Sequence, residues 1–160
     1  MEISENSRVW IYQSNRPFTA DERSQIEEQL GEFTSQWQAH GHQLAAKAEV
    51  RYNRFIVLMV DEGQAGATGC SIDKSVQQIK QFEQDFNVDL FDRFNMAYKV
   101  GGEVISCSRP EFEQLIAEGK ITEDTIVFNN LVPTKRELDS NWEVPFKQSW
   151  HARVFSGVVS

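Results

Sequence analysis

Six consecutive apolar residues, Phe55-Ile-Val-Leu-Met-Val60, offer no polar face, so a strand built from them has to be covered on both sides. The run is about a third of the roughly 20 residues that a membrane-crossing helix needs. The residues before it supply elements to do the covering. Val9-Trp10-Ile11-Tyr12 is β-branched and aromatic and reads as a first strand. Asn15-Arg16-Pro17 turns the chain, and Thr19-Ala20-Asp21-Glu22 has the spacing of a capping box. Ile26, Leu30, Phe33 and Trp37 then recur at helical intervals, leaving Glu27, Glu28 and Glu32 to water. A strand, a helix and the apolar strand predict a βαβ unit, whose crossover is almost always right-handed.

Downstream, Ile72, Val76, Ile79, Phe82 and Phe86 mark a second amphipathic helix. Gly101-Gly102 between two short apolar-rich runs (96–100 and 103–106) signals a β-hairpin. Ser108-Arg109-Pro110-Glu111 is a further capping box, opening a helix that carries Phe112, Leu115 and Ile116 and stops at Gly119. Residues 125–129 read as a strand, Thr134 caps a last short helix, and Val154-Phe155 is a candidate edge strand. No repeat or Gly/Ser/Pro linker interrupts this order, so residues 1–160 are expected to form a single domain. The fold class it predicts is α+β: a mixed β-sheet with a βαβ unit and a later β-hairpin, and helices packed on the sheet.

Charge narrows the function classes. Sixteen basic against twenty-four acidic residues give a net charge of −8 and a soluble, acidic chain, the wrong sign for nucleic acid or an anionic membrane. Met-Glu-Ile-Ser-Glu at the start is no secretion signal, and two cysteines make no disulfide framework; a cytoplasmic location with free thiols is expected.

The stretch from Phe55 to Val76 holds the most chemistry: an apolar strand, Asp61-Glu62, a loop with Gly63, Gly66 and Gly69, then Cys70-Ser71-Ile72-Asp73 entering a helix. Ligands gather at the carboxyl ends of strands in open α/β sheets, and a helix start offers unpaired N–H groups to an anion. Two readings fit. Either the loop is a plain connection with Ser71 or Asp73 as helix cap, or it seats an anion with Arg16, His40, Asp61, Gly69, Cys70 and Ser71 around it. Arg16 enters because the βαβ reading puts the end of the first strand on the same sheet edge as Asp61. The loop is not a phosphate-binding P-loop: with Gly69 and Ser71 aligned to the end of that motif, Cys70 stands where its lysine belongs.

Val9-Trp-Ile-Tyr-Gln-Ser-Asn-Arg-Pro-Phe-Thr19, Ala39-His40-Gly41, Ala67-Thr-Gly-Cys-Ser-Ile-Asp-Lys-Ser75 and Ile126-Val-Phe-Asn-Asn-Leu-Val-Pro133 resemble a family of short uncharacterised bacterial proteins often labelled "ABC transporter ATPase". The resemblance spans most of the chain and brings no catalytic residues with it. The label does not fit these residues. Ile56-Val57-Leu58-Met59-Val60-Asp61-Glu62 looks like one ATPase element, but no lysine-bearing phosphate loop precedes it and no Leu-Ser-Gly-Gly-Gln-like signature exists.

A thiol at a helix start is a candidate nucleophile, because the local field favours thiolate. Cys70 as nucleophile with His40 or His42 as base makes a cysteine-dependent enzyme the second reading; a small buried residue is the plain one. Cys107 reads as core. With three histidines, one of them distant His151, neither metal nor other cofactor is expected. Trp10, Tyr12, Trp142 and Trp150 suggest a third reading, an assembly protein with an aromatic surface and a homo-oligomeric or other protein partner. The leading expectation is a binding module for a small anionic ligand or a protein segment.

Overall fold

The structure is a computed structural model that describes residues 3–63 and 65–155. Its elements in chain order are β1 (Arg8–Gln13), α1 (Ala20–Gln36), β2 (Gln38–Ala39), β3 (His42–Gln43), β4 (Ala45–Arg51), β5 (Phe55–Asp61), α2 (Gly69–Phe86), β6 (Met96–Val100), β7 (Glu103–Cys107), α3 (Arg109–Ala117), β8 (Ile126–Phe128), α4 (Lys135–Asn141), β9 (Glu143–Pro145) and α5 (Trp150–Val154). The α+β class, with helices packed on sheet, is as the sequence predicts.

The apolar run becomes the central strand of a three-stranded sheet ordered β1-β5-β4. Every residue from Phe55 to Val60 is 0–1% exposed. Ile56 and Leu58 face α1 and α2, packing with Ile26, Leu30, Ile79 and Phe82. Phe55, Val57 and Met59 face the other way, onto Ala97 and Phe128 of a second sheet ordered β7-β6-β8-β9 and onto Trp142, which immediately precedes β9. Burying each such side chain contributes about 1.5–3 kcal/mol. Helices therefore cover one face of β5 and a sheet covers the other.

The βαβ unit does not form. β1 pairs with β5 antiparallel, from Arg8 opposite Val60 to Gln13 opposite Phe55. Every strand pairing among the described residues is antiparallel, so the sheets are not mixed in direction. The missing piece is β4, Ala-Ala-Lys-Ala-Glu-Val-Arg, which has one β-branched residue and little strand propensity of its own. It forms because β5 offers a full edge, Ala45 opposite Asp61 through Arg51 opposite Phe55. A tight turn joins the two, with Tyr52 and Asn53 both left-handed at φ 55° and 53°, the pattern of a type I′ hairpin. Chain reversal there turns a crossover into a hairpin.

The later hairpin is present, with β6 and β7 joined at Gly101-Gly102 and Gly101 at φ 60°. Capping boxes open α1 at Thr19 and α3 at Ser108. Val154 and Phe155 are not an edge strand: Val154 ends α5, and Phe155 is 1% exposed among Phe112 and other core residues. No helix among the described residues is long and apolar enough to cross a membrane.

Candidate functional site

The glycine-rich loop reaches α2 through Thr68, and this threonine caps the helix instead of Ser71 or Asp73. Its hydroxyl accepts from the Ser71 N–H at 3.2 Å, while the Ser71 hydroxyl accepts from the Thr68 N–H at 2.7 Å. The helix thus starts two residues before Ser71, at Gly69. Ile72 N–H donates to the Thr68 carbonyl, the first bond of the helix proper. Two amides are left over. The N–H groups of Gly69 and Cys70 have no partner among the described residues, as the geometry of a first helical turn dictates. A side chain at Gly69 would meet nothing within 4 Å, so the backbone there stands open.

Gly69 and Cys70 border a hollow of about 360 Å³. Gly69, Cys70, Ser71 and Lys74 line one side, and His40 and Gly41 line another. His40 and Gly41 form the tip between β2 and β3, with φ 52° and 79°, a left-handed pair that folds the chain back in two residues. Trp37 brings the two sides together. Its indole N–H donates to the Ser71 carbonyl at 2.8 Å, and the ring, 2% exposed, packs against Trp10 and Phe33. The start of α2 is therefore pinned to the segment that carries His40.

Of the six expected site residues, His40, Gly69, Cys70 and Ser71 come together, and Cys70 is exposed. Ser71 is 2% exposed and its hydroxyl also donates back to the Thr68 carbonyl, so that group is committed to the cap. His42 is exposed but does not line the hollow. Arg16 is elsewhere. Because β1 runs antiparallel to β5, its end lies beside Phe55, at the opposite end of β5 from Asp61. There Arg16 makes a two-pronged pair with Glu22 at 2.8 Å and donates to the Phe86 carbonyl at the far end of α2. That pairing, with a bond from the Thr19 N–H, holds the Glu22 carboxyl down at about 2.

Asp61 ends β5 but does not line the hollow. Its carboxylate accepts from the Gly63 N–H at 3.0 Å, and Glu62 accepts from the Ala67 N–H at 2.8 Å. The acidic pair that resembles an ATPase element thus organises its own loop. Lys74 was missed. It lies four residues after Cys70, on the same helical face, and that spacing was the available signal.

Cys107 packs half-buried on the Phe112 cluster, and burial pushes its thiol up to about 11. None of the four tryptophans is among the exposed large apolar residues, and Trp142 is 2% exposed. The described residues contain no group of three or more His, Cys, Asp or Glu placed to hold a metal ion. Compared with family models, curated proteins and solved structures, the chain matches none.

Proposed function

We propose that the chain is a binding module whose ligand is a small anion seated between the start of α2 and the β2–β3 tip. One observation carries this reading: Gly69 and Cys70, whose amides have no partner among the described residues, line a hollow together with Lys74 and His40. Backbone N–H groups at the positive end of an 18-residue helix, with an ammonium four residues on, favour negative charge there. The absent P-loop lysine argues against nucleotide hydrolysis, so binding without chemistry is the simplest use of the site. Titration with inorganic phosphate, followed by amide NMR, tests it. Saturable shifts confined to residues 39–41 and 68–74, and weakened at least tenfold by Lys74→Glu, are expected. Shifts spread evenly over the surface, or none, would remove the reading.

The second reading, a cysteine-dependent enzyme, draws on the exposure of Cys70 and on His40 lining the same hollow. Here His40 would take the thiol proton and Cys70 would attack an electrophile. Iodoacetamide labelling against pH decides between the two. A rate profile with an apparent pKa well under the ordinary thiol value of about 8.5, raised by His40→Ala, supports the enzyme. An ordinary profile unchanged by that substitution leaves the binding module alone.

A further inference from the structure

At the other end of β5, a deeply buried basic side chain has no carboxylate partner among the described residues. Arg54 is 6% exposed, where the β4–β5 turn meets the edge of the apolar contact between the two sheets. Its neighbours at this end are paired: Arg16 with Glu22, Arg23 with Glu27, Arg51 with Glu49, and Lys99 with Glu143. Arg54 has no acidic partner among the described residues, in a chain where acids outnumber bases by twenty-four to sixteen. A guanidinium does not discharge on burial, so the cost of desolvating it stands unless an anion offsets it.

The bonding pattern says which part of the group is free. Nη1 donates to the Ser106 hydroxyl on β7, and that hydroxyl lies 3.4 Å from the Asn15 carbonyl, to which it donates in turn. Nε and Nη2 have no acceptor among the described residues, yet neither is sealed off, since Trp150 Nε1 is the one fully enclosed side-chain polar atom there without a partner. Those two nitrogens form one edge of the planar guanidinium, with parallel N–H groups spaced to meet both oxygens of a carboxylate. Burial also lowers the Arg54 pKa, as expected where no carboxylate faces it.

We propose that Arg54, held in place by Ser106, is a binding site for the carboxylate group of a small ligand, which docks on the free Nε–Nη2 edge at the seam between the sheets. The site is separated from the Gly69–Cys70 hollow by the length of β5, so either stands without the other.

Acetate is the probe, titrated against sodium chloride at matched ionic strength. In the wild-type protein the Arg54 Nε–H resonance is expected to shift saturably with acetate and not with chloride, and the melting temperature to rise with acetate alone. Arg54→Gln should abolish both responses, and Arg54→Lys, which keeps the charge but loses the fork, should weaken binding at least tenfold. If Arg54→Gln fails to fold, the wild-type resonance decides. Superimposed acetate and chloride curves, a response to phosphate with none to acetate, or an acetate response retained in Arg54→Gln would each overturn the assignment.

Discussion

The two ends of β5 differ in what their polar groups do. Beyond Phe55 the side chains tie elements together. Arg16 joins the β1 turn to Glu22 of α1 and to the last turn of α2. Arg23 bonds Asn53 and the Val50 carbonyl, locking α1 onto the β4–β5 turn. Gln13, Asn130 and the Trp142 indole form a relay from the first sheet to the second. Beyond Asp61 the carboxylates of Asp61 and Glu62 bond amides of their own loop, and Gly69, Cys70, Lys74 and His40 line an open hollow. One end was built to hold the fold, and the other leaves its donors uncommitted. Arg54 is the exception that makes the first end more than a clasp.

The contrast breaks most visibly under substitution at the clasped end. Trp142 sits within 6.0 Å, ring centre to ring centre, of Tyr52, Phe55 and Phe128, and bonds Asn130 through its indole N–H. Trp142→Ala removes that filling and leaves Asn130 short of a donor, so a loss of about 3–5 kcal/mol is expected in urea unfolding. The same box explains how Tyr52 tolerates φ 55°, a conformation that costs a non-glycine residue about 1–2 kcal/mol. Its hydroxyl donates to Glu143 and accepts from Lys99, in addition to the ring contacts. A Trp142→Ala protein as stable as the parent would mean the inter-sheet clasp contributes little.

Acid should open the protein from its closed regions first. His151 is 1% exposed, bonded to Ser149, and burial holds its imidazole down at about 4 against an ordinary value of 6.5. The folded state keeps it neutral while the unfolded chain takes up a proton, so stability falls as pH drops from about 6.5 to about 4. That difference amounts to at most about 3–4 kcal/mol. Glu22 adds a second, more acid window. Its folded value of about 2 lies below its ordinary 4.5, so its contribution is complete above 4.5 and fades between 4.5 and 2. Denaturation midpoints measured from pH 7 to pH 3 should show the first fall in the parent and not in His151→Phe. Glu22→Gln keeps an oxygen to accept from the Thr19 N–H but loses the ion pair to Arg16, so it should cost about 0.5–1 kcal/mol at pH 7.

The unequal legibility of the two ends has a physical cause. The run Phe55–Val60 announces burial on both faces because no residue in it tolerates water, and packing alone decides such a strand. Capping boxes at Thr19 and Ser108 are equally plain, since a side chain three residues from its partner amide is local information. Pairing direction is not local. Nothing in Val9–Tyr12 says whether it runs with or against β5, and β4 hides in alanines and charges that only a neighbouring edge makes into a strand. One wrong direction moved Arg16 to the far end. His40 and Cys70 survived that error because their meeting depends on the segment after α1, where Trp37 bonds Ser71, and not on β1.

The open end allows the finest test, because its residues can change without disturbing the fold. Thr68→Ala deletes the acceptor for the Ser71 amide and should cost about 1 kcal/mol, the ordinary loss of a helix cap. Cys70 beside it is exposed, and among the described residues no side chain is bonded to its thiol. Cys70→Ala should therefore shift stability by no more than about 0.5 kcal/mol, within the range of surface changes. Its effect on ligand should separate the two uses of the hollow. A backbone seat for an anion survives loss of the thiol, because the Gly69 and Cys70 amides remain, and phosphate-induced shifts at residues 68–74 should persist in Cys70→Ala. A nucleophile does not survive it. Unchanged phosphate shifts together with ordinary thiol reactivity in the parent would make the first turn of α2, and not the cysteine on it, the chemically relevant part of this end.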